Sequence, residues 1–284
     1  MTSAQSGTVA QSPAERPRQG SAGHSRVPGL ARLARGLGGR LHRALARPVC
    51  PVCGARTTFS GFTENPRESG RCAICQSFNR QRQMACAIRR LHRLPMRGSF
   101  RFSAGFRIHN AEANGALHRA LAAHPGYAGS EYFGPDHAPA EQVGGIRHED
   151  LRNLSYAAGA LDLVLSSDVL EHMPNPYDAH REILRVLRPG GRHIFTVPYN
   201  AGAAHDDVRA QVLNDKITYL AERLYHGDPV NPDGDGILVW TIFGREMTGK
   251  LEELGFRTQV LRLHEPRYGI IGAGAIVFDA MKPG

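Results

Sequence analysis

Apolar and polar positions alternate along this chain in two periods, and the clearest stretch runs from Leu161 to Tyr199. The apolar run beginning at Leu161 and ending in Asp168 is short and bounded by polar residues, which predicts a buried, central parallel strand. Asn175 is placed to cap a helix and Pro176 fits its first position. Ile183, Leu184 and Leu187 then recur at helical spacing until Pro189-Gly190-Gly191 stops the helix. A second apolar run, His193 to Val197, predicts the next strand. Strand, helix and strand with short joints make a right-handed βαβ unit, the building block of parallel sheets covered by helices. Ligands of such sheets bind at the carboxyl ends of the strands, here near Ser167-Asp168 and Pro198-Tyr199.

The same periodicities divide the rest of the chain. Phe106 to Asn110 predicts a first strand, followed by a helix through Leu117 and Leu121. Tyr127 to Glu131 predicts a second strand and Ile146 to Leu151 a third. Gly236 to Phe243 reads as a later strand, and Met247, Leu251 and Leu254 mark a helix closed by Gly255. Thr258 to Leu263 and Ile270 to Phe278 are expected to pair at the end of the sheet. Between them, residues 199–240 form an insertion carrying His205, Asp206, Asp207, Lys216, Tyr225, His226 and Asp228. Its place predicts a substrate lid over the strand ends, against the alternative of a solvated loop.

Charge changes this picture only at the amino end. Of the formal +9, residues 1–47 carry eight Arg and one Glu, leaving +2 for the remainder. The basic balance therefore says little about nucleic-acid binding by the folded body. Residues 1–28 lack periodic apolar positions and are expected to be disordered. Leu30, Leu33, Leu37, Leu41 and Leu45, interleaved with Arg, suggest a basic amphipathic helix of the kind that associates with anionic lipid surfaces or RNA, or else a frayed linker helix. No apolar run approaches the roughly 20 residues that span a bilayer.

Four of the five cysteines fall in two C-x2-C pairs, Cys50/Cys53 and Cys72/Cys75. Two such pairs supply four thiolates for a tetrahedral, structural Zn²⁺, and they imply a reducing, cytoplasmic compartment rather than disulfides. Met84, Ile88 and Leu91 place a helix directly after the second pair, and Cys86 within it reads as a small buried hydrophobe. Three regions are expected: a tail at 1–47, a zinc module at 48–94 and a large domain at 95–284.

The block formed by the Asp168 strand end, Asp168-Val-Leu-Glu-His172, the helix, Leu187-Arg-Pro-Gly-Gly191 and the strand ending Val197-Pro198 resembles the second half of class I S-adenosylmethionine-dependent methyltransferases, of the type 11 kind. The cysteine pairs and helix resemble a zinc-ribbon or treble-clef module. The resemblance implies an α/β, Rossmann-like sheet of seven strands ending in an antiparallel edge, with S-adenosylmethionine as cofactor. By strand-end alignment Asn110 takes an acidic position, while Glu112 and Asn114 stand where glycines are usual and Gly115 remains. Either Glu112 meets the amino group of the cofactor or the loop has lost the cofactor. Glu131, 21 residues after Asn110, is spaced to accept hydrogen bonds from ribose hydroxyls. Asp150 and Leu151 would meet the adenine, and Ser167 lies at the fourth strand end.

Asp168, Glu171 and His172 are the catalytic candidates, with His172 as general base because imidazole titrates near neutrality. Their D-x2-E-H spacing also resembles an E-x2-E-H that holds a divalent ion such as Mg²⁺ in some O-methyltransferases of small molecules and small RNAs. The plain alternative is that the carboxylates bond backbone amides while His172 packs over the cofactor. Three functions follow: methyl transfer to a hydroxyl or amine of a small molecule or glycan, methylation of RNA held by the zinc module, or binding without catalysis.

Overall fold

The strand–helix–strand order of the central run holds, and the elements around it follow in a computed structural model that describes residues 48–227 and 233–284. The expectations for the tail 1–47 and for Asp228 lie outside the described residues. From the amino end come β1 (Phe59–Ser60), β2 (Arg71–Cys72) and α1 (Asn79–Leu91). Then follow β3 (Ile108–Asn110), α2 (Gly115–Leu121), β4 (Tyr127–Glu131), β5 (Gln142–Val143) and β6 (Ile146–His148). The central unit is β7 (Leu161–Ser167), α3 (Pro176–Val186) and β8 (Leu187–Thr196). The insertion contributes β9 (Asp207–Val208), β10 (Ala210–Leu213), β11 (Lys216–Tyr219) and β12 (Tyr225–His226), which are followed by β13 (Ile237–Leu238) and β14 (Thr241–Ile242). The chain closes with α4 (Glu246–Glu253), β15 (Arg257–Arg262) and β16 (Ile276–Met281). No described helix is long and apolar enough to cross a membrane.

The main sheet has the order β15-β16-β8-β7-β3-β4-β6-β5. Strands β6, β4, β3, β7 and β8 are parallel, and β16 runs antiparallel between β8 and β15. This is the expected α/β, Rossmann-like sheet with its antiparallel edge, with one correction: the sheet has eight strands, not seven. The extra strand β5 turns back onto β6 with Val143 opposite Ile146. Gly144 and Gly145, at φ 60 and 84, form the two-residue hairpin turn, a conformation that needs left-handed backbone at both positions.

Both faces of the sheet are covered, so alternate residues of one strand enter different cores. Leu163 and Leu165 of β7, Ile194 of β8 and Val277 of β16 pack with Met84 and Ile88 of α1 and with Leu117 and Leu121 of α2. Val164, Phe195 and Phe278 face the other way, onto Ile183 and Val186 of α3 and Met247 and Leu251 of α4. Helix α3 is amphipathic for this reason: Ala179, His180, Ile183 and Val186 are buried while Asp178 and Arg181 are solvated. Helix α1 belongs to the segment read as a zinc module, yet its buried side is part of the sheet's own core. The described residues all fall in one compact unit.

Three strand expectations shift. Strand β8 begins at Leu187, so Pro189-Gly190-Gly191 lies within the extended segment and the helix ends before it. Gly236 to Phe243 does not join the main sheet, because the Val239 N–H donates to the Leu224 carbonyl and the Trp240 N–H to the Glu171 carbonyl. Short pieces of that run pair instead, β13 with β12 and β14 with β9, and Phe243 makes a single parallel bridge with Tyr199 just beyond β8. Of Ile270 to Phe278 only the part from Ile276 is strand.

Candidate active site

Chain order reverses between β3 and β7: β4 and β6 lie on one side, β8 and β16 on the other. At this switch point the carboxyl ends of the parallel strands open into a cleft of about 1670 Å³. Glu131, Asp150, Leu151, Ser167, Asp168 and His172 all line it, together with Glu112, Asn114 and Gly115 of the β3–α2 loop. Asn110 and Glu171 are not part of its lining.

The loop is built from beneath. Asn110 is buried and donates from Nδ2 to the Glu112 carbonyl at 2.8 Å and to the Tyr127 hydroxyl at 3.0 Å. Glu131 accepts from the Ala113 N–H at 2.9 Å and from Asn114 Nδ2 at 3.2 Å, tying the loop to the end of β4. Gly115 has φ +79, and a Cβ there would lie 2.6 Å from Gln81 Nε2 and 2.7 Å from Glu112 Oε1. Only glycine lets that amide and that carboxyl occupy the same corner. Burial pushes the Glu112 carboxyl up to about 7, against the pull of Arg80 and with Glu131 adding to the rise.

Asp150 has become the cap of its own turn. It accepts from the Arg152 N–H at 2.8 Å and from the Arg152 guanidinium at 2.7 Å, and this turn ends β6 at His148. Leu151 beside it is buried.

Asp168 sits in left-handed backbone at φ 56. Arg67 grips it with both guanidinium nitrogens, at 2.6 Å for Nη2 to Oδ1. Arg80 approaches at 3.3 Å and Thr196 Oγ1 donates at 3.0 Å. Burial alone would raise its pKa, but Arg80 and Arg67 outweigh burial and hold the carboxyl at about 2. So held, Asp168 is an anchor for two arginines and not a proton acceptor at neutral pH. Arg80 also donates to the Ser167 carbonyl at 3.1 Å and pairs with Glu68 at 2.7 Å. Sequence reasoning missed both arginines, since nothing in the spacing of the cysteine segment directs it at a strand end a hundred residues on.

Glu171 and His172 leave β7 in a single 3-10 turn, Leu170–His172. His172 Nδ1 donates to the Leu238 carbonyl at 2.9 Å, so in the neutral imidazole Nε2 is the nitrogen left with a lone pair. That Nε2 lies 3.7 Å from Glu171 Oε1, and His226 Nδ1 lies 3.6 Å from the same oxygen. His226 comes from the insertion, where Tyr225 also reaches the cleft. Asp206 instead anchors the insertion's root, accepting from Tyr177 Oη at 2.6 Å, Lys250 Nζ at 3.0 Å and the Gly244 N–H at 2.8 Å. His205 is exposed and pairs with Glu246. Val212 and Ile217 of the β10–β11 hairpin also line the cleft.

Away from the cleft, the sulfurs of Cys50, Cys53, Cys72 and Cys75 lie within 4.8 Å of one another. Beside them two arginines are fully buried. Arg82 donates to the Gly269 carbonyl at 2.8 Å and Arg89 to the Pro51 carbonyl at 2.6 Å. Burial lowers both guanidinium pKa values while the neighbouring thiolates raise them. Four thiolates around Zn²⁺ carry a net charge of about −2, and two guanidinium groups are the complement of that charge.

Residues 115–195 match the family described as a methyltransferase domain. An uncharacterized methyltransferase of Mycobacterium sp. strain KMS is 49% identical over 77 residues, 24% of this chain and 30% of its own length. One from Mycobacterium sp. strain JLS is 46% identical over the same length. The chain thus spans under a third of the curated relatives it matches. Among solved structures, an S-adenosylmethionine-dependent methyltransferase from Mesorhizobium loti aligns over 70% of this chain and 98% of its own at 17% identity and TM-score 0.42. The 1,6-didemethyltoxoflavin-N1-methyltransferase of Burkholderia thailandensis aligns over 71% and 79% at 18% identity and TM-score 0.41. At those values the structural likenesses carry no argument about substrate.

Proposed function

We propose that this protein is an S-adenosylmethionine-dependent methyltransferase acting on a small molecule or glycan. The observation that carries the reading is Glu131, a strand-end carboxylate bonded to the Ala113–Asn114 loop at the switch point, inside a segment that matches a methyltransferase domain. Ribose hydroxyls are donors, and a carboxylate there offers acceptors. Glu112, with its raised pKa, is the partner for the ammonium of the cofactor's amino-acid end. Methyl transfer is an in-line displacement: the acceptor's lone pair forms the new bond to the methyl carbon as the carbon–sulfur pair returns to sulfur. Catalysis of such a step rests mostly on positioning. The acceptor fits between the strand ends and the lid, against Tyr199, Trp240, Val212 and Ile217. His172 Nε2 holds a lone pair at that place, for a proton or for a cation, and the surroundings of Glu171 decide between them.

The RNA reading loses support from the arginines of the cysteine segment. Arg67 and Arg80 turn into the cleft, Arg82 and Arg89 are buried, and Arg90 pairs with Glu265. The four cysteine sulfurs fit a structural Zn²⁺ in this reading, and their role is to fix α1 against the sheet. Calorimetric titration with S-adenosylhomocysteine tests the function. Binding is expected, weakened about tenfold or more in Glu131→Ala by loss of a charged acceptor. An absence of binding by the folded parent protein would remove the reading.

A further inference from the structure

Glu171 is fully buried, yet neither of its carboxylate oxygens has a hydrogen-bond partner. A buried carboxylate that makes no hydrogen bond is costly in a protein interior, and such groups are usually paired with a cation or bind metal. The two groups beside it are imidazole nitrogens, at 3.7 Å for His172 Nε2 and 3.6 Å for His226 Nδ1. Both distances exceed a hydrogen bond. They approach what a shared ion produces, because two ligands each about 2.1 Å from one metal at right or tetrahedral angles sit roughly 3.0–3.4 Å apart. One ligand atom from each of the three residues lies within 4.8 Å of the others.

We propose that Glu171, His172 and His226 bind a divalent transition-metal ion whose open coordination positions face the cleft. His172 is already oriented as a ligand. The Leu238 carbonyl takes its Nδ1–H at 2.9 Å and leaves the Nε2 lone pair pointing at the site, the usual outer support of a metal-bound histidine. Both histidines line the cleft while Glu171 lies behind them. The ion is thus held from one side, and its free positions take an oxygen of the methyl acceptor. Only that last role rests on the methyltransferase reading. Asp168, the first residue of the D-x2-E-H spacing, is not a ligand, since Arg67, Arg80 and Thr196 occupy its oxygens. Two imidazoles with one carboxylate favour Mn²⁺, Fe²⁺, Co²⁺ or Zn²⁺ over Mg²⁺, which prefers oxygen ligands and water.

Mn²⁺ is the probe, because thiolates select softer ions and the four-cysteine site is kept loaded with zinc. The full chain is titrated with Mn²⁺ and free ion is followed by electron paramagnetic resonance. One ion per chain is expected, with affinity lowered at least about 10–100-fold in His226→Ala and in Glu171→Gln. His226 lies in the lid, so its variant keeps the fold even where the buried Glu171→Gln does not. No bound Mn²⁺ at millimolar concentration, or unchanged binding by folded His226→Ala, overturns the site. Titration with S-adenosylhomocysteine runs beside it. A protein that binds the nucleoside and not Mn²⁺ refutes this site alone, and one that binds Mn²⁺ and not the nucleoside keeps the site while refuting the methyltransferase reading.

Discussion

Replacing Glu112 by Gln should make the protein more stable, and more so as pH rises. In the folded state its carboxyl titrates at about 7 instead of the ordinary 4.5, because burial disfavours the charge more than Arg80 favours it. Between those values the folded protein holds a proton that the unfolded chain has released. Stability therefore falls with rising pH across that window, and the full deficit is present above pH 7. At about 1.4 kcal/mol for each tenfold in proton affinity, the deficit comes to about 3.5 kcal/mol. Partial exposure to the cleft reduces it, and about 2 kcal/mol is the working figure. Glutamine keeps the shape beside Gln81 and Gly115 without the charge. For a unit of this size about 2 kcal/mol corresponds to a Tm difference of roughly 4–8 °C. The assay is thermal unfolding of parent and Glu112→Gln at pH 5, 6, 7 and 8, where the two curves should separate as pH increases. Every other group is common to both proteins, so the difference isolates residue 112. A gap that stays constant within about 1 °C from pH 5 to 8 refutes the buried-charge argument. The same substitution should weaken S-adenosylhomocysteine binding, since the ammonium loses its carboxylate partner.

Cys72→Ser should lose stoichiometric zinc by metal analysis and unfold the body as well as residues 48–94, since structural zinc contributes on the order of 10 kcal/mol to small modules and α1 shares the sheet's core. Asp168→Asn should cost about 2–3 kcal/mol in urea unfolding at pH 7 by leaving Arg67 and Arg80 without their shared carboxylate. Its sign is opposite to that of Glu112: the depressed pKa of about 2 stabilises above the unfolded value of about 4, and the gap between variant and parent should close as pH falls from 4 toward 2. Gly115→Ala should lower Tm and nucleoside affinity together, with about 1–2 kcal/mol from the positive φ alone. A variant that is merely less stable, with nucleoside affinity intact, would separate the loop from the site.

What was legible in the sequence was local. Tyr127–Glu131 was bounded correctly, and Leu161–Ser167 to within one residue, because each is an apolar or β-prone run with a polar end, and Pro176 with Ile183 set the helix between strands. The eighth strand was also written locally, as Val143-Gly-Gly-Ile146, a hairpin turn that hydrophobic periodicity passes over. Other features were not local at all. Arg67 and Arg80 matter through an aspartate a hundred residues later, and His226 joins Glu171 only because the insertion folds back over β7. Gly236 to Phe243 has the composition of a strand, but its amides are claimed by Leu224 and Glu171, and propensity cannot register a competitor elsewhere in the chain. The boundary drawn at residue 94 failed to register a shared core, because apolar periodicity reveals that a helix has a buried side and not what buries it.

The position of α1 carries a cost in time as well as a gain in packing. A ribosome makes this helix early, and its apolar side then waits for β7, β8 and β16. Arg82 finds its acceptor only in the Gly269 carbonyl, and Arg90 its partner only in Glu265. Nearly two hundred residues separate these groups, so the amino-terminal segment cannot complete its structure until the last strands have emerged. In the zinc reading, capture of the ion by the four cysteines would be available long before that. The nascent chain would then carry a clipped but half-packed helix through most of its synthesis, an interval in which chaperone binding and aggregation compete for the same exposed Met84 and Ile88.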